Sequence, residues 1–178
     1  MGLFDRFKKA APAAVKVAPV PVEAHDGAGV VCAPVSGTVV ALADVPDPVF
    51  SSGAMGPGCG IAPECDVVYA PVSGTVSALM EGSCHALGIT SDEGADLIVH
   101  VGLDTVSMGG TGFSYLVSEG QRVAAGQPVL TFDREAIATA GHPDTVLVVV
   151  TNADELGAVS VCAEGAVAAG EPLVRIAG

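Results

Sequence analysis

His85-Ala86-Leu87-Gly88-Ile89-Thr90-Ser91-Asp92-Glu93-Gly94-Ala95-Asp96-Leu97-Ile98-Val99-His100-Val101 sets two short apolar runs around a polar turn that contains glycine. Such a pattern is the signature of a β-hairpin. With a two-residue turn at Asp92-Glu93, paired positions sum to 185, and His85 stands directly opposite His100. Cross-strand partners share one sheet face with Cβ atoms about 4.5–5.5 Å apart. On that face Leu87 then pairs with Ile98. A three-residue turn shifts the sum to 186 and sends one histidine to the other face. Spacing alone fits two unrelated histidines in a sheet as well as a functional pair. The pair matters because two neighbouring imidazoles can carry a phosphoryl group or bind a metal.

The rest of the chain agrees with a β-fold. Its 178 residues suffice for one domain with a real core plus a tail. Val, Ala and Gly dominate, Trp is absent, and 23 Gly with 12 Pro break the sequence into many short runs. That pattern predicts an all-β fold, an antiparallel sandwich or barrel. No stretch approaches the roughly 18 apolar residues that span a bilayer.

Charge is unevenly distributed. Residues 1–25 hold Arg6, Lys8, Lys9 and Lys16 against Asp5 and Glu23, a net of +2. The remainder holds Arg122, Arg134 and Arg175 against 18 carboxylates, a net of −15. A body this acidic repels nucleic acid and favours a basic partner, although acidity for solubility explains it equally well. The five cysteines, Cys32, Cys59, Cys65, Cys84 and Cys162, form no C-x-x-C. Lys16 and several prolines interrupt any export signal, so the expected state is reduced thiols in a cytoplasmic protein. Cys84 neighbours His85 and is expected to point into the core, since adjacent strand residues face opposite ways.

Along the chain, residues 1–10 place Leu3, Phe4, Phe7 and Ala10 on one helical face with Arg6, Lys8 and Lys9 on its flanks. This amphipathic basic segment suits peripheral contact with the inner face of a membrane. It is too short for a stable helix in water, and Arg6 stands where a myristoylation signal wants Ser or Thr. Residues 11–25, rich in Ala, Pro and Val, read as an extended linker, which leaves 26–178 as the folded domain. Two internal repeats organise that domain. Ala33-Pro34-Val35-Ser36-Gly37-Thr38-Val39 recurs as Ala70-Pro71-Val72-Ser73-Gly74-Thr75-Val76. Glu119-Gly120-Gln121-Arg122-Val123-Ala124-Ala125-Gly126-Gln127-Pro128 is echoed by Glu164-Gly165-Ala166-Val167-Ala168-Ala169-Gly170-Glu171-Pro172. Four strand-turn-strand corners predict duplicated hairpins rather than a solenoid. One short helix is expected over 134–140, capped by Asp133 and stopped at Gly141. Strands are expected over 146–151, 159–162 and 173–176.

The ordered motifs resemble a known family. His85-Ala86-Leu87-Gly88-Ile89, His100-Val101-Gly102-Leu103-Asp104-Thr105-Val106 and Gly110-Thr111-Gly112-Phe113 are similar to the glucose-type enzyme IIA of the bacterial sugar phosphotransferase system. So are Val45-Pro46-Asp47-Pro48-Val49-Phe50, the second Ala-Pro-Val-Ser-Gly-Thr, Glu119-Gly120-Gln121-Arg122-Val123 and Val148-Val149-Val150-Thr151-Asn152. The resemblance runs from about residue 30 to 176. It implies an antiparallel β-sandwich whose shallow apolar depression holds the histidine pair. It implies His100 as phosphoryl acceptor, His85 as phosphate stabiliser and Ser83 as the residue orienting the site. Asp47, Val49, Phe50, Leu87, Ile98 and Asp104 are the partner-binding candidates around it. The chain departs from the family pattern at Gly56-Pro57-Gly58-Cys59-Gly60-Ile61, at Met80 where an aromatic residue often stands, by one inserted residue around Glu81-Gly82, and at Cys84.

The implied function is that of a phosphocarrier, fed by a histidine phosphocarrier protein and discharging to a cysteine on the IIB domain of a sugar permease. The family also binds regulatory target proteins. No cofactor is required. Neutral imidazole, with an ordinary pKa near 6.5, is a competent nucleophile at neutral pH. Phosphoryl transfer asks mainly for positioning and charge stabilisation. Gly102 is expected to leave space beside the acceptor. Two histidines near a carboxylate are also part of a zinc site, so zinc at His85 and His100 with a partner's carboxylate stays open. A zinc peptidase on a similar scaffold is the rival enzyme, and it wants a His-x-His pair that the sequence lacks. A biotinyl or lipoyl carrier wants an acceptor lysine, and residues 26–178 contain none. A non-catalytic regulatory binding module is the remaining alternative.

Overall fold

The computed structural model describes residues 18–177. The strands are β1 (Val30–Cys32), β2 (Gly37–Ala41), β3 (Gly58–Pro63), β4 (Val67–Tyr69), β5 (Gly74–Leu79), β6 (Ala86–Ser91) and β7 (Asp96–Val101). They continue with β8 (Phe113–Tyr115), β9 (Arg122–Val123), β10 (Pro128–Phe132), β11 (Val146–Val150), β12 (Val159–Val161), β13 (Ala166–Val167) and β14 (Pro172–Ile176). Two short helices, α1 (Pro48–Ser51) and α2 (Arg134–Thr139), interrupt them. All pairings among the described residues are antiparallel.

An eight-stranded sheet runs in the order β13-β2-β3-β11-β7-β6-β5-β9, with two three-stranded sheets, β4-β10-β8 and β1-β14-β12. The small sheets and one face of the large sheet share the main core, which includes Val31, Val68, Leu130, Phe132, Leu173, Ile61, Ile89, Leu97, Val99 and Val148. This is the expected antiparallel sandwich. The repeated segments form strand-turn-strand corners that interlock. Cys32 donates its N–H to the Pro71 carbonyl and Tyr69 to the Pro34 carbonyl, both at 2.8 Å. The serines of the first repeat serve the turns of the second: Ser73 Oγ accepts from Ala125 N–H at 3.0 Å and Ser36 Oγ from Ala169 N–H at 2.9 Å.

Helix α2 forms where expected. The Asp133 carboxylate accepts the Ala136 N–H at 3.0 Å, a cap whose loss costs about 1 kcal/mol, and Gly141 follows the helix with φ +83°. Residues 18–26 carry neither helix nor strand. Val22 N–H donates to the Gly126 carbonyl and His25 N–H to the Gly170 carbonyl, each at 3.0 Å. Residues 1–17, with the amphipathic segment, lie outside the described residues. Among the described residues no helix is long and apolar enough to cross a membrane.

The hairpin register differs from the two-residue-turn expectation. Ala86 pairs with His100, Leu87 with Val99, Gly88 with Ile98 and Thr90 with Asp96, a sum of 186. The cause is the turn chemistry. Ser91 N–H bonds to the Ala95 carbonyl, Gly94 N–H to the Ser91 carbonyl, and Gly94 adopts φ +88°. Asp92-Glu93-Gly94 is therefore a three-residue loop with glycine in the left-handed position. The shift turns Leu87 over, so it is 2 % exposed in the main core opposite Val99 and is not a surface contact beside Ile98.

Candidate functional site

Strand β7 alternates strictly. Leu97, Val99 and Val101 enter the main core, while Ile98 and His100 point to the outer face of the large sheet. There a second apolar cluster gathers Val45, Phe50, Leu103, Leu147 and Val149, with Ile98 packed against it. His100 is flanked in the ladder by Leu147 on β11 and Ala86 on β6. Helix α1 delivers Phe50 to this cluster. The Asp47 carboxylate caps it by accepting the Val49 N–H at 2.8 Å, and Pro48 fits the first turn, where no N–H is needed. The Phe50 ring meets the His100 ring edge to face, 5.1 Å between centroids.

His85 reaches the same face by leaving the strand. It sits in a bend before β6, after Cys84, which takes the left-handed φ of +52°. The His85 carbonyl still accepts the Val101 N–H at 2.8 Å. The bend releases the side chain from strand alternation and lays its ring against His100, 4.6 Å between centroids at 84°. Buried Ser83 stands with its Oγ 2.9 Å from His85 Nδ1. Cys84 is half-buried in this loop rather than in the core. The histidine pair expected from the sequence is thus present, but through a backbone bend rather than through ladder register.

Burial dominates the electrostatics. It pushes the His100 pKa down to about 4, with help from neighbouring His85, against an opposing pull from the Gly102 backbone and the Asp47 carboxylate. The Nδ1 atom of His100 is buried without a hydrogen-bond partner of full geometry, so the Gly102 backbone offers only a weak contact. Burial also lowers the pKa of His85. Both rings are neutral near pH 7.

On the segments that carry or flank the two histidines, Val49 in α1, Met80 after β5 and Val106 after β7 are half or more exposed, and Ile98 is half-buried. Asp104 is exposed with φ +57° and precedes a single 3-10 turn at Thr105–Met108, where its carboxylate caps no N–H. Gly102 has a different role from the one expected. With φ +77°, an added Cβ would lie 2.3 Å from Thr105 Cγ2, so glycine makes room for Thr105 rather than for the His100 ring. Thr105 is fully buried and donates its hydroxyl to the Val101 carbonyl at 2.6 Å, one residue from His100. Sequence reasoning missed this support, and only the following Asp-Thr turn hints at it. No cluster of three or more His, Cys, Asp or Glu that could hold a metal ion forms among the described residues.

Comparison with known proteins agrees with this fold. Residues 29–156 match the family described as phosphoenolpyruvate-dependent sugar phosphotransferase system, EIIA 1. The chain is 41 % identical over 132 residues to the beta-glucoside-specific EIIBCA component of Bacillus subtilis, covering 74 % of this chain and 22 % of that protein. It thus spans about a fifth of that multidomain relative. Against the glucose-specific EIIA component of Staphylococcus aureus it is 38 % identical over 143 residues, covering 80 % of this chain and 85 % of the relative. The structure of glucose permease IIA from Mycoplasma capricolum superposes with a TM-score of 0.72 at 31 % identity, covering 82 % of this chain and 93 % of that one. With the family model matching most of the chain, and a stand-alone relative covered nearly end to end, this protein belongs to the EIIA 1 family of the phosphoenolpyruvate-dependent sugar phosphotransferase system.

Proposed function

We propose that the chain is a phosphocarrier that takes a phosphoryl group onto His100 from a phosphorylated histidine phosphocarrier protein and gives it to a cysteine on a sugar-permease IIB domain. The observation that carries this reading is the edge-to-face pair of neutral imidazoles, with Nδ1 of His100 sealed and the ring set in an apolar surface. Because Nδ1 is enclosed, Nε2 is the nucleophile and the ring proton resides on Nδ1. The Nε2 lone pair forms a bond to phosphorus while the donor's N–P bond breaks and the donor imidazole departs. In the second step the thiolate sulfur forms the new bond to phosphorus and the N–P bond at His100 breaks.

His85 supports the transferred group. Ser83 Oγ stands 2.9 Å from His85 Nδ1, and the tautomer that suits the role has the hydroxyl donate to Nδ1 and the His85 proton on Nε2, aimed at the phosphoryl oxygens. A fixed donor is strongest in a site with little water. Exposed Val49, Met80 and Val106 together with Ile98 form an apolar rim against which the partner closes and slows hydrolysis. The acidic body favours a basic donor. Residues 1–10 would hold the protein peripherally at the cytoplasmic face of the membrane, near its permease. Incubation with a phosphorylated histidine phosphocarrier protein tests the reading: acid-labile phosphate should appear on His100 and leave when a IIB domain is added.

A further inference from the structure

The loop between β5 and β6 carries Ser83, Cys84 and His85, and its mouth is bridged by a residue from another sheet. Tyr115 ends β8, in the β4-β10-β8 sheet, where it pairs with Leu130. Its hydroxyl accepts the Met80 N–H at 2.9 Å and donates to the Ala86 carbonyl. Met80 and Ala86 would be the next rung of the β5–β6 ladder beyond Leu79 and Leu87. The Met80 N–H also reaches the Ala86 carbonyl directly, in a long hydrogen bond of 3.4 Å. The phenol thus braces a weak closing rung by bonding to both of its groups. The same segment meets the loop at a second point, because Gly110 has φ +85° and a Cβ there would lie 2.8 Å from the Gly82 carbonyl.

We infer that Tyr115 is a positioning residue for phosphoryl transfer: its hydroxyl braces the mouth of the 80–86 loop and so sets where His85 stands against His100. His85 reaches its place through a bend, so strand alternation does not set its ring. The constraints on it are local: the left-handed Cys84, the His85 carbonyl on the Val101 N–H at 2.8 Å, Ser83 Oγ 2.9 Å from its Nδ1, the Cys84 N–H to Met80 carbonyl bond at 2.9 Å, and the Tyr115 bridge one residue away at Ala86. Met80 anchors one side of the mouth and is itself half exposed on the rim. The bridge therefore ties the helper histidine and one rim residue to the second sheet. Without the hydroxyl, the Met80 N–H and the Ala86 carbonyl keep only their long direct bond, the rung tightens or takes up water, and the His85 ring moves with it.

The inference rests on the phosphocarrier reading for its rate effect, but its structural core is measured without any phosphate. The variant is Tyr115→Phe, with Val174→Ala on β14, buried in the main core, as a control for general loosening. Two quantities are followed: the imidazole titration of His85 by NMR, and the single-turnover rate of phosphate transfer to a IIB domain. Tyr115→Phe should still acquire phosphate on His100, discharge it about 10- to 100-fold more slowly, and titrate His85 at higher pH as water enters the loop. Val174→Ala, compared well below both melting points, should keep the parent rate and titration. A parent-like rate and His85 titration in Tyr115→Phe would overturn the inference, as would the same changes in Val174→Ala. Failure of the unaltered chain to acquire phosphate would contradict the phosphocarrier reading instead, while the His85 titration would still decide the role of Tyr115.

Discussion

His85 and His100 lie ring against ring, 4.6 Å apart, although the residue opposite His100 in the ladder is Ala86. The contact exists because the chain bends at His85 after a left-handed Cys84, which frees one side chain from the two-residue period of the strand. His85 therefore sits on a loop and His100 on a central strand. Changes in the loop should affect His85 without displacing His100.

Phe50 is the apolar wall beside His100. Its ring is 6 % exposed and meets His100 at 5.1 Å. Phe50→Ala should destabilise the protein by about 3 kcal/mol, the low end for removing a buried ring. It should also admit water beside His100 and raise its titration toward the ordinary histidine value. Urea denaturation and histidine NMR check the two effects.

Acid should destabilise the fold through His100 in a defined window. Its pKa is about 4 when folded against an ordinary 6.5, so between these values the unfolded chain binds more protons. The stability from the neutral buried ring is complete above pH 6.5 and is lost as pH falls toward about 4. Melting temperature should fall over this range more steeply for the parent than for His100→Gln. Parallel curves for the two proteins would contradict this assignment.

Gly102→Ala should cost about 1–3 kcal/mol, because residue 102 has φ +77° and the new methyl would meet Thr105 Cγ2. The loss should appear in denaturant midpoints. Since Thr105 bonds to the Val101 carbonyl beside His100, transfer should slow as well.

Much of this architecture was legible in sequence because its signals are local. The four corners follow from repeated Pro and Gly segments, and α2 from Asp133 and Gly141 at its ends. The hairpin existed where the apolar runs placed it, but its register depended on Gly94 taking the left-handed position, which converts a two-residue turn into three. That single residue moved Leu87 from the surface to the core. The histidine contact held for a reason no period could reveal, a bend at His85. Thr105 and Tyr115 act through partners 4 and 29 to 35 residues away, and their hydroxyl bonds follow from tertiary packing rather than pattern.

Residues 1–10 should matter only at a membrane. Deleting them should leave phosphate acceptance in solution unchanged, and should weaken both co-sedimentation with anionic vesicles and transfer to a membrane-embedded permease. Equal vesicle binding by full-length and shortened chains would remove the membrane role.

The central claim, that His100 accepts and His85 assists, is tested most directly by phosphorylating His100→Gln and His85→Gln with the same charged donor and then adding a IIB domain. His100→Gln should acquire no acid-labile phosphate. His85→Gln should acquire it and discharge it about 10²–10³ times more slowly than the parent, the usual cost of losing one charge-stabilising donor. Phosphate on His100→Gln but not on His85→Gln would reverse the two roles, and normal phosphorylation of both would contradict the phosphocarrier account itself.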